Sequence, residues 1–175
     1  MMDCKLYING SWVEGASDRR IGVVNPATEE VIAEYNYASR APVAEAFSAA
    51  QAAFGPWRKA TAYERAEVLK GTATLMRERV EELARLMTFE VGKPLAESKG
   101  EIMASASYFE WAAEEGKRLY GRVVPASKAG VRRLVLKQPI GVTAALSAWN
   151  FPVLLPARKL RSEERRVGKT CRSRW

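Results

Sequence analysis

The chain has 175 residues, 47% hydrophobic and 27% charged, which is a globular composition and enough for one domain of ordinary size. No apolar run reaches membrane-spanning length, and the first residues lack the basic start and long apolar stretch of a secretory signal, so a cytoplasmic protein without a membrane partner is expected. The net charge of +8 is concentrated at one end: residues 161–175 hold six basic and two acidic residues, and the other 160 hold 22 and 18. The body is therefore only mildly basic, and no nucleic-acid partner is needed to explain it. Cys4 and Cys171 are the only cysteines, too few for a disulfide framework, and no metal site is read.

In chain order, Lys5 to Glu14 reads as a β-hairpin turning at Asn9-Gly10. Ile21 to Tyr35 reads as a second strand–turn–strand unit, its turn opened by Asn25-Pro26. Helices follow. Pro42 to Phe54 is Ala-rich with Pro in its first turn, and Gly55-Pro56 is expected to end it. Thr61-Ala-Tyr-Glu64 fits a capping box and should start one long helix reaching about Glu90. Leu69, Met76, Val80, Leu83 and Met87 share one face of it, and Gly92 supplies the stop. Pro94 should begin another helix, running through Ile102, Phe109 and Trp111 to about Tyr120, with Gly121 closing it.

Arg122 to Lys137 reads as a hairpin of mixed-charge strands. After the connector Gln138-Pro139, Ile140 to Ser147 is apolar and suits a buried parallel strand. That strand would stop at Trp149-Asn150-Phe151-Pro152, and ligands of open α/β sheets bind at such carboxyl ends. Leu154 to Leu160 should begin a helix packing on the sheet.

Four motifs occur in a set order: Trp57-Arg58, Phe89-Glu-Val-Gly-Lys-Pro94, Gln138-Pro-Ile-Gly141 and Trp149-Asn-Phe-Pro152. Together they make the stretch from Leu6 to Leu160 resemble the NAD(P)-dependent aldehyde dehydrogenases. Gly92-Lys-Pro-Leu-Ala-Glu97 and the run from Phe109 to Gly121 are most similar to the succinate-semialdehyde enzymes, with the glutarate-semialdehyde enzymes alike. Ala148 stands where many relatives have Pro.

The resemblance implies an α/β fold comprising the N-terminal part of the cofactor-binding domain: β-hairpins, helices and the first central parallel strand, plus one hairpin of the oligomerisation domain. Residues 1–120 would be the first part of that domain, 121–138 the oligomerisation-type hairpin and 139–160 the start of the dinucleotide-binding sheet. The implied reaction takes a small aldehyde, water and NAD or NADP to the carboxylate and the reduced cofactor. A cysteine thiolate attacks the aldehyde, hydride leaves to the nicotinamide, and water hydrolyses the thioester. Homo-oligomer contacts are expected for the full-length enzyme only.

By the same resemblance Asn150 matches the oxyanion-hole amide, Trp149 and Asn150 lie beside the cofactor, and Arg158 aligns with a contact to the substrate carboxylate. Attack puts negative charge on the aldehyde oxygen, and one fixed N–H donor there is typically worth about 2.7–4 kcal/mol. A guanidinium suits a carboxylate because it offers two parallel hydrogen bonds. From the residues alone each has a plainer reading: Asn150 as a turn residue, Trp149 as a core aromatic, Arg158 as an exposed helix residue. Glu90 is not read as the general base, because the family's base lies in a Glu-Leu-Gly-Gly motif that is absent. The catalytic Cys and the Lys-Pro-Ser-Glu cofactor strand are expected beyond residue 160, so the chain reads as an inactive N-terminal fragment.

Residues 161–175 break every earlier pattern. A P-loop would need Gly at 163, where Glu163 stands. Gly168-Lys-Thr-Cys171 is similar to the family's Gly-Gln-x-Cys but follows Asn150 far too closely. The codons AGA TCG GAA GAG CGT CGT GTA GGG AAA, similar to a common short-read sequencing adapter, spell Arg161 to Lys169 in full. Their continuation gives Glu-Cys-Arg-Ser-Arg-Trp, departing only at Thr170. The tail is accordingly read as translated adapter, not native sequence. The alternative is a genuine short, non-catalytic binding module with a basic tail; whether these codons are encoded in the gene separates the two.

Overall fold

The computed structural model describes residues 2–160, so the reading of the basic tail lies outside the described residues. Two antiparallel hairpins open the chain. Leu6–Ile8 (β2) pairs with Ser11–Val13 (β3), and the positive φ of Asn9 (50°) and Gly10 (82°) makes the tight turn anticipated there. Arg20–Val24 (β4) pairs with Val31–Asn36 (β5). The buried Asn25 starts their turn by accepting the Ala27 N–H at 2.9 Å. Met2–Asp3 (β1) adds a parallel strand on the other side of β5, a pairing distant in sequence that no local pattern announces.

The first helix, Arg40–Lys59 (α1), does not end at Gly55-Pro56 as expected. A proline disfavours helix in the preceding residue by crowding its Cβ, and Gly55 has none. The helix loses one N–H bond and resumes, with Ala60 N–H donating to Pro56 O and Trp57 O.

The single helix anticipated from Thr61 to Glu90 is two, Ala62–Glu78 (α2) and Val80–Val91 (α3). The capping box is present in full: Glu64 N–H donates to Thr61 Oγ1 at 3.2 Å, and Thr61 N–H donates to Glu64 Oε2 at 2.7 Å. The break falls at Arg79, whose backbone leaves the helical region (φ −102°, ψ 19°). Its guanidinium forks onto Glu82, and Glu81 and Glu82 place negative charge on the first turn of α3, where the helix dipole favours it. Gly92 ends α3 at φ 77°. A Cβ there would lie 2.5 Å from the Pro26 ring, so this glycine also lets the helix end meet the β4–β5 turn.

Leu95–Gly116 (α4) has Pro94 as its N-cap and stops four residues before Tyr120, at Gly116. Lys70–Glu114, Arg77–Glu110 and Lys99–Glu81 ion pairs link it to α2 and α3. The order of the two pairs to α2 along the chain makes α4 antiparallel to it. The core lies in this layer: Ala66, Leu69 and Ala73 of α2 pack on Ala106, Phe109, Ala112 and Ala113 of α4. The alanines let the helices approach closely, while Leu69 and Phe109 supply most of the apolar area, about 1.5–3 kcal/mol each.

Arg122–Val124 (β6) and Arg133–Val135 (β7) form the expected hairpin. Ile140 to Ser147 corrects the reading of the sequence, because no strand forms there. A strand is satisfied only by a neighbouring strand, and none of the described strands pairs with this segment. Its apolar Ile140 and Leu146 are exposed, at 72% and 76%, while Val142, Thr143 and Ser147 are half-buried. Leu154–Leu160 (α5) is helical as expected, but it packs on α4, burying Ala157 in the helical core, and not on a sheet. No helix among the described residues is long and apolar enough to cross a membrane.

Candidate functional site

The site is built where α4, the α3–α4 link and the turn before α5 meet. On α4, Ser98, Ile102, Ser105, Ala106 and Phe109 face the core at helical spacing, and Glu101 falls on that same buried face. Its side chain is only 2% exposed. An ionised carboxylate so placed must be paired and hydrogen-bonded, because desolvation otherwise forbids it. Lys93, one residue past the Gly92 stop, provides the charge, with Nζ 2.5 Å from Glu101 Oε2 and its side chain 12% exposed. The other carboxylate oxygen, Oε1, accepts the backbone N–H groups of Val153 and Leu154, each at 3.0 Å.

Lys93 reaches the same turn from the other side. Nζ donates to the Asn150 carbonyl oxygen at 3.1 Å and lies 4.4 Å from the centre of the Phe151 ring. A bond between Phe151 O and Leu155 N–H and another between Val153 O and Ala157 N–H carry the turn into α5. Nearby, the Thr88 and Ser98 hydroxyls bond at 3.0 Å, joining α3 to α4 beside the pair. The backbone from Asn150 to Leu154 is thus fixed at three main-chain atoms and one aromatic face, all by one ion pair.

What this held turn presents outward are Trp149, 64% exposed, and Asn150, also exposed. The arrangement offers a side-chain amide and a flat indole side by side in sequence on a rigid support. Arg158 lies further along α5, exposed, with its guanidinium 5.8 Å from the Tyr108 ring of α4. It stands apart from the Lys93–Glu101 contacts, so the three residues singled out in the sequence are not joined in one cluster. Lys159 Nζ donates to Ser147 Oγ at 3.3 Å, tying α5 back to the apolar segment. Glu90, in the last turn of α3, is part-buried, and burial pushes its carboxyl above the usual range; no hydrogen bond links it to Asn150 among the described residues. No three candidate metal ligands gather among the described residues.

The sequence shows Gly92 and Pro94 as a helix stop and start, and so hides Lys93 between them. Glu101 carried a signal: a carboxylate in phase with the buried face of an otherwise small and apolar helix stripe. Its partners, 8, 52 and 53 residues away, carried none.

Comparison with known proteins identifies the family to which this fold and these motifs belong. Residues 12–162 match the aldehyde dehydrogenase family. The chain is 49% identical over 153 residues to the glutarate-semialdehyde dehydrogenase of Pseudomonas putida, covering 87% of this chain and 32% of that one. It is 47% identical over 152 residues to the NADP(+) succinate-semialdehyde dehydrogenase of Escherichia coli, with the same coverage. The solved succinate-semialdehyde dehydrogenase of Burkholderia pseudomallei superposes with a TM-score of 0.89 at 44% identity, over 93% of this chain and 34% of that one. The chain therefore spans about a third of the length of these relatives. With the fold, the ordered motifs and the match over residues 12–162 in agreement, the chain belongs to the aldehyde dehydrogenase family.

Proposed function

We propose that this chain supplies the oxyanion-donor side of an enzyme that oxidises a short semialdehyde, succinic or glutaric, to the carboxylate. The observation that carries the reading is Asn150: an exposed amide on a turn whose backbone is fixed at three points by a buried ion pair. When a thiolate adds to the aldehyde carbon, the carbonyl oxygen gains charge, and the Asn150 side-chain N–H donates to it. A donor held in advance spends nothing on reorganisation at that moment. Trp149 and Asn150 would meet the cofactor, the open indole face suiting a flat ring; NAD or NADP would supply the hydride acceptor. Arg158 would pair with the far carboxylate of the semialdehyde, its guanidinium steadied against Tyr108.

The remaining parts of this reading follow the family. The nucleophilic Cys and the general base belong to the family's Gly-Gln-x-Cys and Glu-Leu-Gly-Gly motifs, neither of which is in this sequence, so these 175 residues alone are inactive. Residues 121–138 serve subunit contacts in the assembled cytoplasmic enzyme. Residues 139–160 open the dinucleotide-binding sheet. Residues 161–175 are translated adapter, which a long read of the source DNA across the Leu160 codon tests directly.

Purified residues 1–175 with succinic semialdehyde and either cofactor should give no rise in reduced-cofactor absorbance above a blank. Residues 1–160 joined to the remaining two thirds of the E. coli relative should be active. In that chimera Asn150→Ala should lower kcat by about 10²–10³. Turnover by the 175-residue chain overturns the missing machinery; an unchanged kcat in Asn150→Ala overturns the oxyanion role.

A further inference from the structure

We propose that Lys93 and Glu101 are positioning residues for the Asn150 amide. The inference rests on the reading of Asn150 as the oxyanion donor and names what sets its place. The Glu101 carboxylate is almost fully used: Oε2 takes the Lys93 ammonium, and Oε1 takes two successive backbone N–H groups, those of Val153 and Leu154. The Lys93 ammonium spends its donors on Glu101 and on the Asn150 carbonyl, with the Phe151 ring beside it. Holding the carbonyl of Asn150 fixes the peptide plane that follows it. Holding the amides of Val153 and Leu154 fixes the chain three and four residues on. The freedom left to Asn150 is then that of its own side-chain torsions.

Stability alone gives little reason for a charged pair here. A buried ion pair roughly breaks even against well-packed apolar residues of the same volume, because both charges must be desolvated. Apolar residues, however, could not bond two N–H groups and one carbonyl of an irregular turn. Those three backbone groups are what the pair satisfies, and they flank the residue that carries the chemistry. Geometry of this kind matters to rate, since a misplacement of about 1 Å can cost roughly 10²-fold.

The first test uses the 175-residue chain and NMR. Lys93→Met keeps the aliphatic stem and removes the ammonium. It should shift the Asn150 side-chain amide resonances and raise amide exchange at Val153 and Leu154 about tenfold, leaving Ala106 and Ala113 protected as in the wild type. Lys93→Arg, which can still reach Glu101 and the Asn150 carbonyl, should restore the Asn150 signals. Wild-type signals at Asn150, Val153 and Leu154 in Lys93→Met overturn the proposal. Equal loss of protection at Ala106 and Ala113 also overturns it, because the pair would then be a strut for the whole layer. Glu101→Gln is the second variant: it keeps an oxygen for the two N–H groups but releases Lys93. The Asn150 signals should move while Val153 and Leu154 stay protected; an unmoved Asn150 counts against the proposal.

The second test is a kinetic cycle in the active chimera. Lys93→Met should lower kcat about tenfold with KM unchanged, and should lower it no further in an Asn150→Ala background. A tenfold loss that persists without the Asn150 amide overturns action through Asn150. Should Asn150→Ala itself leave kcat intact, the oxyanion reading fails while the NMR result still decides whether the pair places that side chain.

Discussion

The helical layer α2–α4 and the stretch from Arg122 to Trp149 are both rich in apolar residues, yet they meet opposite fates. In the layer, Ala66, Ala73, Ile102 and Phe109 are buried, and ion pairs lace the rim. In the stretch, Val123 is 79% exposed, and Leu134, Ile140 and Leu146 are exposed with it. The difference lies in where each element finds its hydrogen bonds. A helix closes its backbone bonds within itself and needs only one face covered. A strand finds every ladder bond on another strand, so its apolar pattern states a requirement for a neighbour. The first region meets its requirement with sequence close at hand; in the second, β6 and β7 pair only with each other and Ile140 to Ser147 with none of the described strands.

The sharpest way to break that comparison is to remove one large side chain from each region. Phe109→Ala empties a site packed between α2 and α4 and should cost about 3–5 kcal/mol, read as a lower denaturant midpoint of the 175-residue chain. Leu146→Ala removes a side chain already in water and should stay within about 0.5 kcal/mol. Similar losses for the two would mean that the stretch is packed as well as the helical layer.

The same contrast explains what could be read from the residues. The capping box at Thr61, the hairpin turns at Asn9-Gly10 and Asn25-Pro26, and the stop at Gly92 are local devices, and each is present. The motifs carried the family, and the roles proposed for Asn150, Trp149 and Arg158 rest on that resemblance. What escaped was non-local or a balance of local terms. The β1–β5 pairing joins residues about thirty apart and has no signature in either partner alone. Gly55 softened a proline that should have ended α1. Glu81 and Glu82 lie inside what reads as one continuous helix and mark a fresh helix start after Arg79. Lys93 and Glu101 meaningfully connect only once α4 and the turn before α5 are folded together.

The rim of the layer gives a smaller, pH-dependent effect. Hydrogen bonds from Lys70 and Lys117 pull the Glu114 carboxyl down to about 2. Bonds from Arg77, Arg79 and the Thr61 backbone likewise lower Glu110, Glu82 and Glu64. A carboxyl depressed in the folded state contributes above its unfolded pKa, and that contribution is lost as pH falls through the folded value. For Glu114 the window runs from about 4.5 down to about 2. Glu90, raised by burial, has the opposite sign and gains on protonation. The Glu114 contribution to the denaturant midpoint should therefore be lost as pH falls from about 4.5 to about 2, more weakly in high salt because its pairs are exposed. Lys70→Met should flatten the fall; a midpoint that rises on acidification contradicts the assignment.

The smallest effect on stability should come with a clear effect on association. Leu134 sits opposite Val123 in a two-stranded hairpin with both outer edges open and its side chain in water. An open, apolar edge is a template for another chain, so the 175-residue polypeptide should self-associate through it. Leu134→Ser should shift the denaturant midpoint by no more than about 0.5 kcal/mol, because no buried contact is lost. It should nonetheless lower light scattering at a given concentration. A loss above about 1 kcal/mol would place Leu134 in a packed surface and erase its difference from the helical layer. Unchanged scattering would leave the hairpin exposed but move the seat of association to the unpaired segment from Ile140 to Ser147, whose apolar side chains would then be the next to replace.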